Sequence, residues 1–223
     1  MSDWLPLTGR PVSSLEADNP PVGVSLSDHF TLAEMIESAT ARRDAKIWAE
    51  QCRPSEEVVR NLRWLANHTL EPLRQALGGW PILVNSGYRC EALNSRIGGS
   101  RRSQHMAGEA ADVRLAPGYF EDDVARVAAE AILEHAYGSS APRLSDVRPE
   151  FVMWTLLADR TDQMNVDQAI HEYGDSYFAP SWIHVSKSDR KRRILTIVGP
   201  LTGGSYLHHP GNLPLPLLET YGA

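Results

Sequence analysis

Hydrophobic residues recur at helical spacing in three parts of the chain. Thr31 and Glu34 have the spacing of a capping box, which predicts that the first helix begins at Thr31. A second helical pattern covers residues 55–77, where Pro72 is expected to bend or divide the helix because proline lacks a backbone N–H. A third, alanine-rich pattern covers residues 120–137. The core-facing residues predicted for this third helix are Val124, Val127, Ala128, Ile132 and Leu133.

Outside these helical segments, most hydrophobic residues occur in short runs with the length of a β-strand. A helical turn is expected over residues 90–96, ended by the glycines at 98–99. Because helices and strands are segregated along the chain rather than alternating, the pattern favours an α+β domain over a doubly wound sheet. The predicted strands cover residues 81–85, 111–115, 151–157, 170–173, 182–186 and 194–198.

The length of 223 residues and the hydrophobic content of 42% suit one compact domain with an extension at each end. Residues 1–27 are rich in proline and lack periodicity, so they are expected to form an extended N-terminal arm. Residues 28–198 carry the periodic segments and form the predicted domain. Residues 199–223 are too few for an independent core and are expected to form a C-terminal arm.

Charge, hydropathy and cysteine content narrow the class of protein. The net charge of −6 argues against binding to nucleic acid, whose phosphates require a basic surface. No run approaches ~20 apolar residues, so no membrane span is expected. The first residues lack a basic segment followed by an apolar one, which predicts cytoplasmic synthesis without a signal peptide. Cys52 and Cys90 could pair with each other, but separate thiols are favoured.

Three side chains offer the chemistry of a metal site. His105 and Asp112 lie seven residues apart, in a segment whose small residues favour a loop entering a strand. His184 lies in an apolar run that predicts a buried strand. Two imidazoles and one carboxylate can hold a zinc ion and leave one position for water, as hydrolytic zinc sites do.

Seven short motifs occur in order from residue 30 to residue 186: FTL at 30–32, LEPLR at 70–74, SGYRC at 86–90, LN at 93–94, IGGS at 97–100, SQHMAGEAAD at 103–112 and WIHVS at 182–186. With these motifs the chain resembles the family of zinc D-Ala-D-Ala carboxypeptidases and L-alanyl-D-glutamate endopeptidases, which cleave peptidoglycan stem peptides. The resemblance implies that His105, Asp112 and His184 bind Zn²⁺. It also implies a single domain with a small central antiparallel sheet flanked by helices, as in hedgehog and D-Ala-D-Ala peptidases.

The same resemblance assigns further residues to the site. Arg89 occupies the position of an arginine that faces the site, where its guanidinium can hold a substrate carboxylate or the tetrahedral oxygen. Ser103 and Gln104 precede the first ligand and are candidates for substrate binding. For Ser103, the favoured role is to organise the loop through bonds from its hydroxyl to the backbone.

The general base is the point where this sequence departs from the family pattern. Many relatives have Asp or Glu three residues before the last zinc histidine, where this chain has Ser181. A hairpin folding back could instead bring Glu172 beside the zinc-bound water, which makes Glu172 the predicted base. Asp175 is the next candidate, and a site without any base is the third possibility.

These observations predict a zinc metallopeptidase that hydrolyses peptide bonds in peptidoglycan stem peptides, in the manner of a phage endolysin. Without a signal peptide, such an enzyme would act on the cell wall after release or as a component of a virion. The alternative is a structural protein of a virion or injection apparatus that retains the peptidase fold, with phage or particle proteins as partners. A wall-binding module that does not cut is a third hypothesis. The sequence leaves open which bond is cleaved and the oligomeric state.

Overall fold

The computed structural model describes residues 23–174, 176–187, 194–198 and 207–209. The chain divides into two compact units, residues 1–67 with 86–111 and residues 68–85 with 112–223. No helix in the described part of the chain is long and apolar enough to cross a membrane. Residues 1–22 of the predicted N-terminal arm lie outside the described residues, as does most of the predicted C-terminal arm. The two arms therefore stay predictions.

The first unit is mainly helical. Its first helix begins with the predicted capping box, in which the Thr31 hydroxyl accepts a bond from the Glu34 N–H and the Thr31 N–H donates to the Glu34 carboxylate. Val24 and Leu26, assigned from sequence to the N-terminal arm, are buried, and the Leu32 N–H donates to the Val24 carbonyl. The helices are α1 (Leu32–Ile36), α2 (Ala39–Arg42), α3 (Ala45–Gln51), α4 (Glu56–Leu65) and α6 (Glu91–Arg96), with a 3₁₀ turn at Gln104–Ala107.

The helical segment around Pro72 is divided, as the sequence predicts. Helix α4 is followed by a π-helical turn, Ala66–Leu70, and then by α5, Glu71–Ala76. Pro72 lies in the first turn of α5, where the missing N–H removes no bond that the helix would otherwise make. The wider turn before it accommodates the interruption in the hydrogen-bond pattern.

The second unit is built around a six-stranded sheet with the order β1-β2-β4-β3-β5-β6. Strands β3 and β4 pair antiparallel, as do β5 and β6, whereas β5 runs parallel to β3. The α+β class is therefore confirmed. The strands are β1 (Ile82–Ser86), β2 (Ala110–Leu115), β3 (Gln168–Glu172), β4 (Trp182–Ser186), β5 (Ile194–Val198) and β6 (Leu207–His209), and the longer helices are α7 (Asp123–Tyr137) and α8 (Pro149–Asp159).

Two predictions about this unit are wrong. The run at 151–157 forms helix α8 rather than a strand, because a helix buried on every side has no polar face to reveal its period. In α7, Val124 and Val127 are 66% and 58% exposed rather than core-facing. The small residues Ala125 and Ala129 face the core instead, next to Ile132 and Leu133, which are buried as predicted.

Gln51, at the end of α3, fixes the loop that follows β1. Its side chain is 0% exposed, and its Nε2 donates to the carbonyls of Ile36, at 2.9 Å, and Tyr88, at 2.7 Å. Its Oε1 accepts a bond from the Cys90 N–H at 2.8 Å. One buried amide therefore holds the backbone on both sides of Arg89. Cys90 is a buried thiol that is not disulfide-bonded, which agrees with the expectation of separate thiols.

His171 lies on the buried side of β3. Its Nε2 donates to the Tyr177 carbonyl at 2.8 Å, and its ring packs edge-on against Trp154. Its Nδ1 has no hydrogen-bond partner among the described residues. Burial lowers the pKa of this imidazole because its charged form loses water, and the bond to the Tyr177 carbonyl offsets only part of that loss. His171 is therefore a neutral core residue.

Replacing Gln51 tests its structural role. Gln51→Met keeps the side-chain volume but leaves two carbonyls and one N–H without partners, so we expect a loss of about 2–4 kcal/mol in the free energy of unfolding. Gln75→Met, on the exposed side of α5, is the matched control and should change it by less than about 0.5 kcal/mol. Urea unfolding of both variants measures the difference. Equal midpoints would contradict the role of the buried amide.

His171 predicts a pH dependence of stability. Its pKa is about 6.5 in the unfolded chain and lower in the fold, so below pH 6.5 the unfolded chain binds more protons. The contribution of His171 to the free energy of unfolding is therefore fully present above pH 6.5. It falls, by at most about 1.4 kcal/mol per pH unit, as the pH decreases toward the folded-state pKa. His171→Gln keeps an N–H donor for Tyr177 but does not titrate. Between pH 7.5 and pH 5.5, in EDTA, the free energy of unfolding should decrease less for the variant than for the wild type. Equal decreases would refute the assignment of His171 as a buried neutral residue.

Candidate metal centre

His105 is held by a backbone carbonyl. It lies in the 3₁₀ turn before β2, it is buried, and its Nδ1 is 2.6 Å from the Gly87 carbonyl oxygen. A donor at Nδ1 leaves the lone pair on Nε2, which is the tautomer that binds a metal through Nε2. Gly87 has no room for a side chain, since a Cβ there would lie 2.5 Å from the Met35 carbonyl oxygen. The glycine in the SGYRC motif therefore lets the carbonyl reach the histidine.

Asp112 and His184 meet although they are 72 residues apart in sequence. Asp112 is on β2 and His184 on β4, which are neighbours in the sheet. The Asp112 Oδ1 and the His184 Nδ1 lie 2.9 Å apart, and both side chains are 10% exposed. At this separation both atoms can contact the same ion.

The structure brings together the three residues that the sequence groups as metal ligands. One ligand atom from each of His105, Asp112 and His184 lies within 4.8 Å of the other two, and all three residues are buried. Two imidazoles with a carboxylate fit Zn²⁺, and three protein ligands leave a coordination position for water. The donor set therefore fits the expected cofactor, while the role of each residue as a ligand stays a prediction.

Glu172 lies on the same face of the β3–β4 pair as His184. In the antiparallel register, Ile170 is opposite His184, and Glu172 is opposite Trp182. Directly paired residues share a face of the sheet, and so do residues two apart on one strand. The half-buried carboxylate accepts a bond from the Trp182 indole, with 2.9 Å between Oε2 and Nε1. The hairpin expected from the sequence is therefore present.

Ser181, at the usual position of the base, makes contacts within the hairpin. Its hydroxyl donates to the Tyr173 carbonyl at 2.6 Å, and its N–H donates to the Glu172 carbonyl at 2.9 Å. The serine thus connects the start of β4 to the end of β3. Asp175, the next candidate for the base, lies outside the described residues.

Arg89 is coupled to the histidine loop through the backbone. Its N–H donates to the His105 carbonyl at 3.1 Å, and its Nε donates to the Ser86 hydroxyl at 2.8 Å. Arg89 as a whole is half-buried.

The loop before His105 is organised by its backbone. The Ser103 hydroxyl makes no capping bond to the 3₁₀ turn, and the loop-organising role expected for it stays a prediction. The Ser103 N–H donates to the Ser100 carbonyl, and the Ser103 carbonyl accepts from the Met106 N–H. Gln104 is buried, and its carbonyl accepts the Glu109 N–H at 2.9 Å. Substrate binding by Ser103 and Gln104 stays a prediction.

Two residues of this region were not singled out from the sequence. Trp182 could have been, because a residue two positions before His184 on a strand must share its face. Gln51 carries no comparable signal, since a glutamine at the end of an amphipathic helix gives no indication that distant carbonyls will surround its amide.

Comparison with known proteins agrees with this geometry. The pattern that defines the family described as Peptidase M15 matches residues 28–141, more than half of the chain, including His105 and Asp112. A zinc D-Ala-D-Ala carboxypeptidase from Streptomyces albus G is 35% identical over 85 residues, which cover 38% of this chain. The chain spans about a third of that relative, since the match covers 31% of its length. The resemblance inferred from the motifs is confirmed, and the chain belongs to the Peptidase M15 family.

Proposed function

We propose that this protein is a zinc-dependent hydrolase of peptide bonds in peptidoglycan stem peptides. The observation that carries the proposal is the buried group of His105, Asp112 and His184, whose ligand atoms lie within 4.8 Å of one another. The name of the Streptomyces relative, which includes both zinc and D-Ala-D-Ala, supports the metal and the class of substrate. Zinc held by these residues would supply an activated water and a Lewis acid for the scissile carbonyl.

The chain's own residues then have distinct tasks. The Gly87 carbonyl fixes the His105 ring, and Asp112 and His184 supply the other two ligands. Glu172 takes a proton from the attacking water and returns it to the amine nitrogen of the leaving peptide. Arg89 holds the terminal carboxylate of the substrate or the tetrahedral oxygen, with Ser103 and Gln104 beside the first ligand.

Two reaction types fit this arrangement. A D,D-carboxypeptidase would use Arg89 to bind the free terminal carboxylate, whereas an L,D-endopeptidase would cleave within the stem. Either enzyme would act on the cell wall after release from the cell or as part of a virion, with particle proteins as partners in the second case. A purely structural role in such a particle is the competing proposal, motivated by the absence of a carboxylate at Ser181.

Metal analysis tests the ligand set. We expect about one zinc per chain in the purified protein, and at least about 100-fold weaker binding in His105→Ala and Asp112→Ala, because each removes a ligand from a three-residue site. His135→Ala is the matched control, since this histidine is exposed on α7. Isothermal titration against a competing chelator measures the affinities. Wild-type affinity in His105→Ala would contradict the proposed site.

Turnover tests the base and the substrate class. We expect Glu172→Gln to lower kcat by about 10²–10⁴-fold while zinc binding is unchanged, because an amide cannot accept the proton. Glu130→Gln, an exposed change on α7, is the control. Products from a peptide ending in D-Ala-D-Ala and from one containing an L-Ala-D-Glu bond are identified by mass spectrometry. Stoichiometric zinc with no cleavage of either peptide would favour the structural role.

A further inference from the structure

Three hydrogen bonds run from the start of β4 to the end of β3, and all originate in two consecutive residues. The Ser181 N–H donates to the Glu172 carbonyl, and the Ser181 hydroxyl donates to the Tyr173 carbonyl. The Trp182 Nε1–H donates to the Glu172 Oε2 at 2.9 Å. Only this third bond has a side-chain acceptor, the Glu172 carboxylate, that can accept a proton in a reaction. The other two fix the backbone on which that group stands.

The indole also packs against a second residue from the end of β3. Trp182 packs against Tyr173 with 5.1 Å between ring centroids and an angle of 32° between the rings. Tyr173 has a φ of +50°, a left-handed conformation that is uncommon for a residue with a side chain. Such a conformation persists only where the surroundings impose it. Here the Ser181 hydroxyl donates to the Tyr173 carbonyl at 2.6 Å, and the Tyr173 ring packs against Trp182.

The chemistry of indole limits what Trp182 can do. Its N–H is a donor only and cannot accept a proton, so Trp182 cannot act as a base. A donor in a fixed position can select one orientation of the facing carboxylate, because the bond forms only when an oxygen points at it. The register places Glu172 directly opposite Trp182, so the contact needs no further rearrangement of the strands.

We propose that Trp182 is a positioning residue for Glu172, held in place by the Tyr173 ring and Ser181. The inference rests on the proposed function, in which Glu172 is the base. It gives a reason for Ser181 at the position where many relatives have a carboxylate. The Ser181-Trp182 pair orients a carboxylate on the adjacent strand instead of supplying one.

Trp182→Phe tests this by removing the N–H while keeping a ring against Tyr173. We expect kcat to fall by about 10–100-fold, since a hydrogen bond to a charged group is lost, while KM changes by less than about threefold and zinc content stays the same. Trp80→Phe is the matched control, because its Nε1 donates to the Ala116 carbonyl at the same distance of 2.9 Å. Replacement of Trp182 by benzothienylalanine, which exchanges the N–H for sulfur at nearly constant shape, should give the same decrease. The benzothienylalanine variant tests the role of the N–H even if the phenylalanine variant does not fold.

A double-mutant cycle separates positioning from general structural support. In a Glu172→Ala background there is no carboxylate to orient, so Trp182→Phe should cause no further loss of kcat. Additive losses would overturn the inference, and so would a kcat for Trp182→Phe equal to that of Trp80→Phe. Both of those results leave the proposed function intact if Glu172→Gln is impaired. Full activity in Glu172→Gln would instead reject the proposed base, and the positioning role with it.

Discussion

The contact between Asp112 and His184 is the constraint on which the rest of the candidate site depends. Burying a carboxylate and an imidazole costs free energy unless each finds a partner, and here each provides the partner of the other across adjacent strands. The contact therefore requires that β2 and β4 be neighbours with both side chains on one face. A core of apolar residues would stabilise the sheet more simply, which makes a functional explanation of the pair stronger than a structural one.

The residues around the site act mainly by orienting backbone groups. The Gly87 carbonyl defines the tautomer of His105, and the absence of a Cβ at Gly87 permits the loop to lie against Met35. The buried Gln51 side chain holds the same loop through three hydrogen bonds. Rigid support of this kind suits a metal site, because ligand positions that vary by a few tenths of an ångström weaken binding and disturb the bound water.

Sequence alone predicts the parts of this protein whose signals are local. The capping box at Thr31 and the interruption near Pro72 follow from backbone hydrogen bonding within one turn, and both are found. The spacing of His105 and Asp112 is a local motif too. Helix α8 escapes prediction because a continuous apolar run has neither a period of 2.0 nor one of 3.6. The core face of α7 is not the one predicted, because Ala125 and Ala129 are buried while the larger Val124 and Val127 are exposed.

In the proposed function, the base comes from β3 rather than from the start of β4, and the pairing of these two strands makes both positions available. A residue three positions before His184 and the last residue of β3 are joined by a backbone hydrogen bond, so they lie beside each other at one end of the strand pair. Either of these two positions can carry a carboxylate while the histidine keeps its place on β4. The second position, that of Glu172, is at the end of β3, where fewer backbone hydrogen bonds restrain the chain. Contacts from Ser181, Tyr173 and Trp182 restrain this strand end in place of those backbone bonds. In the proposed function, the serine and the two aromatic residues therefore act together to hold Glu172.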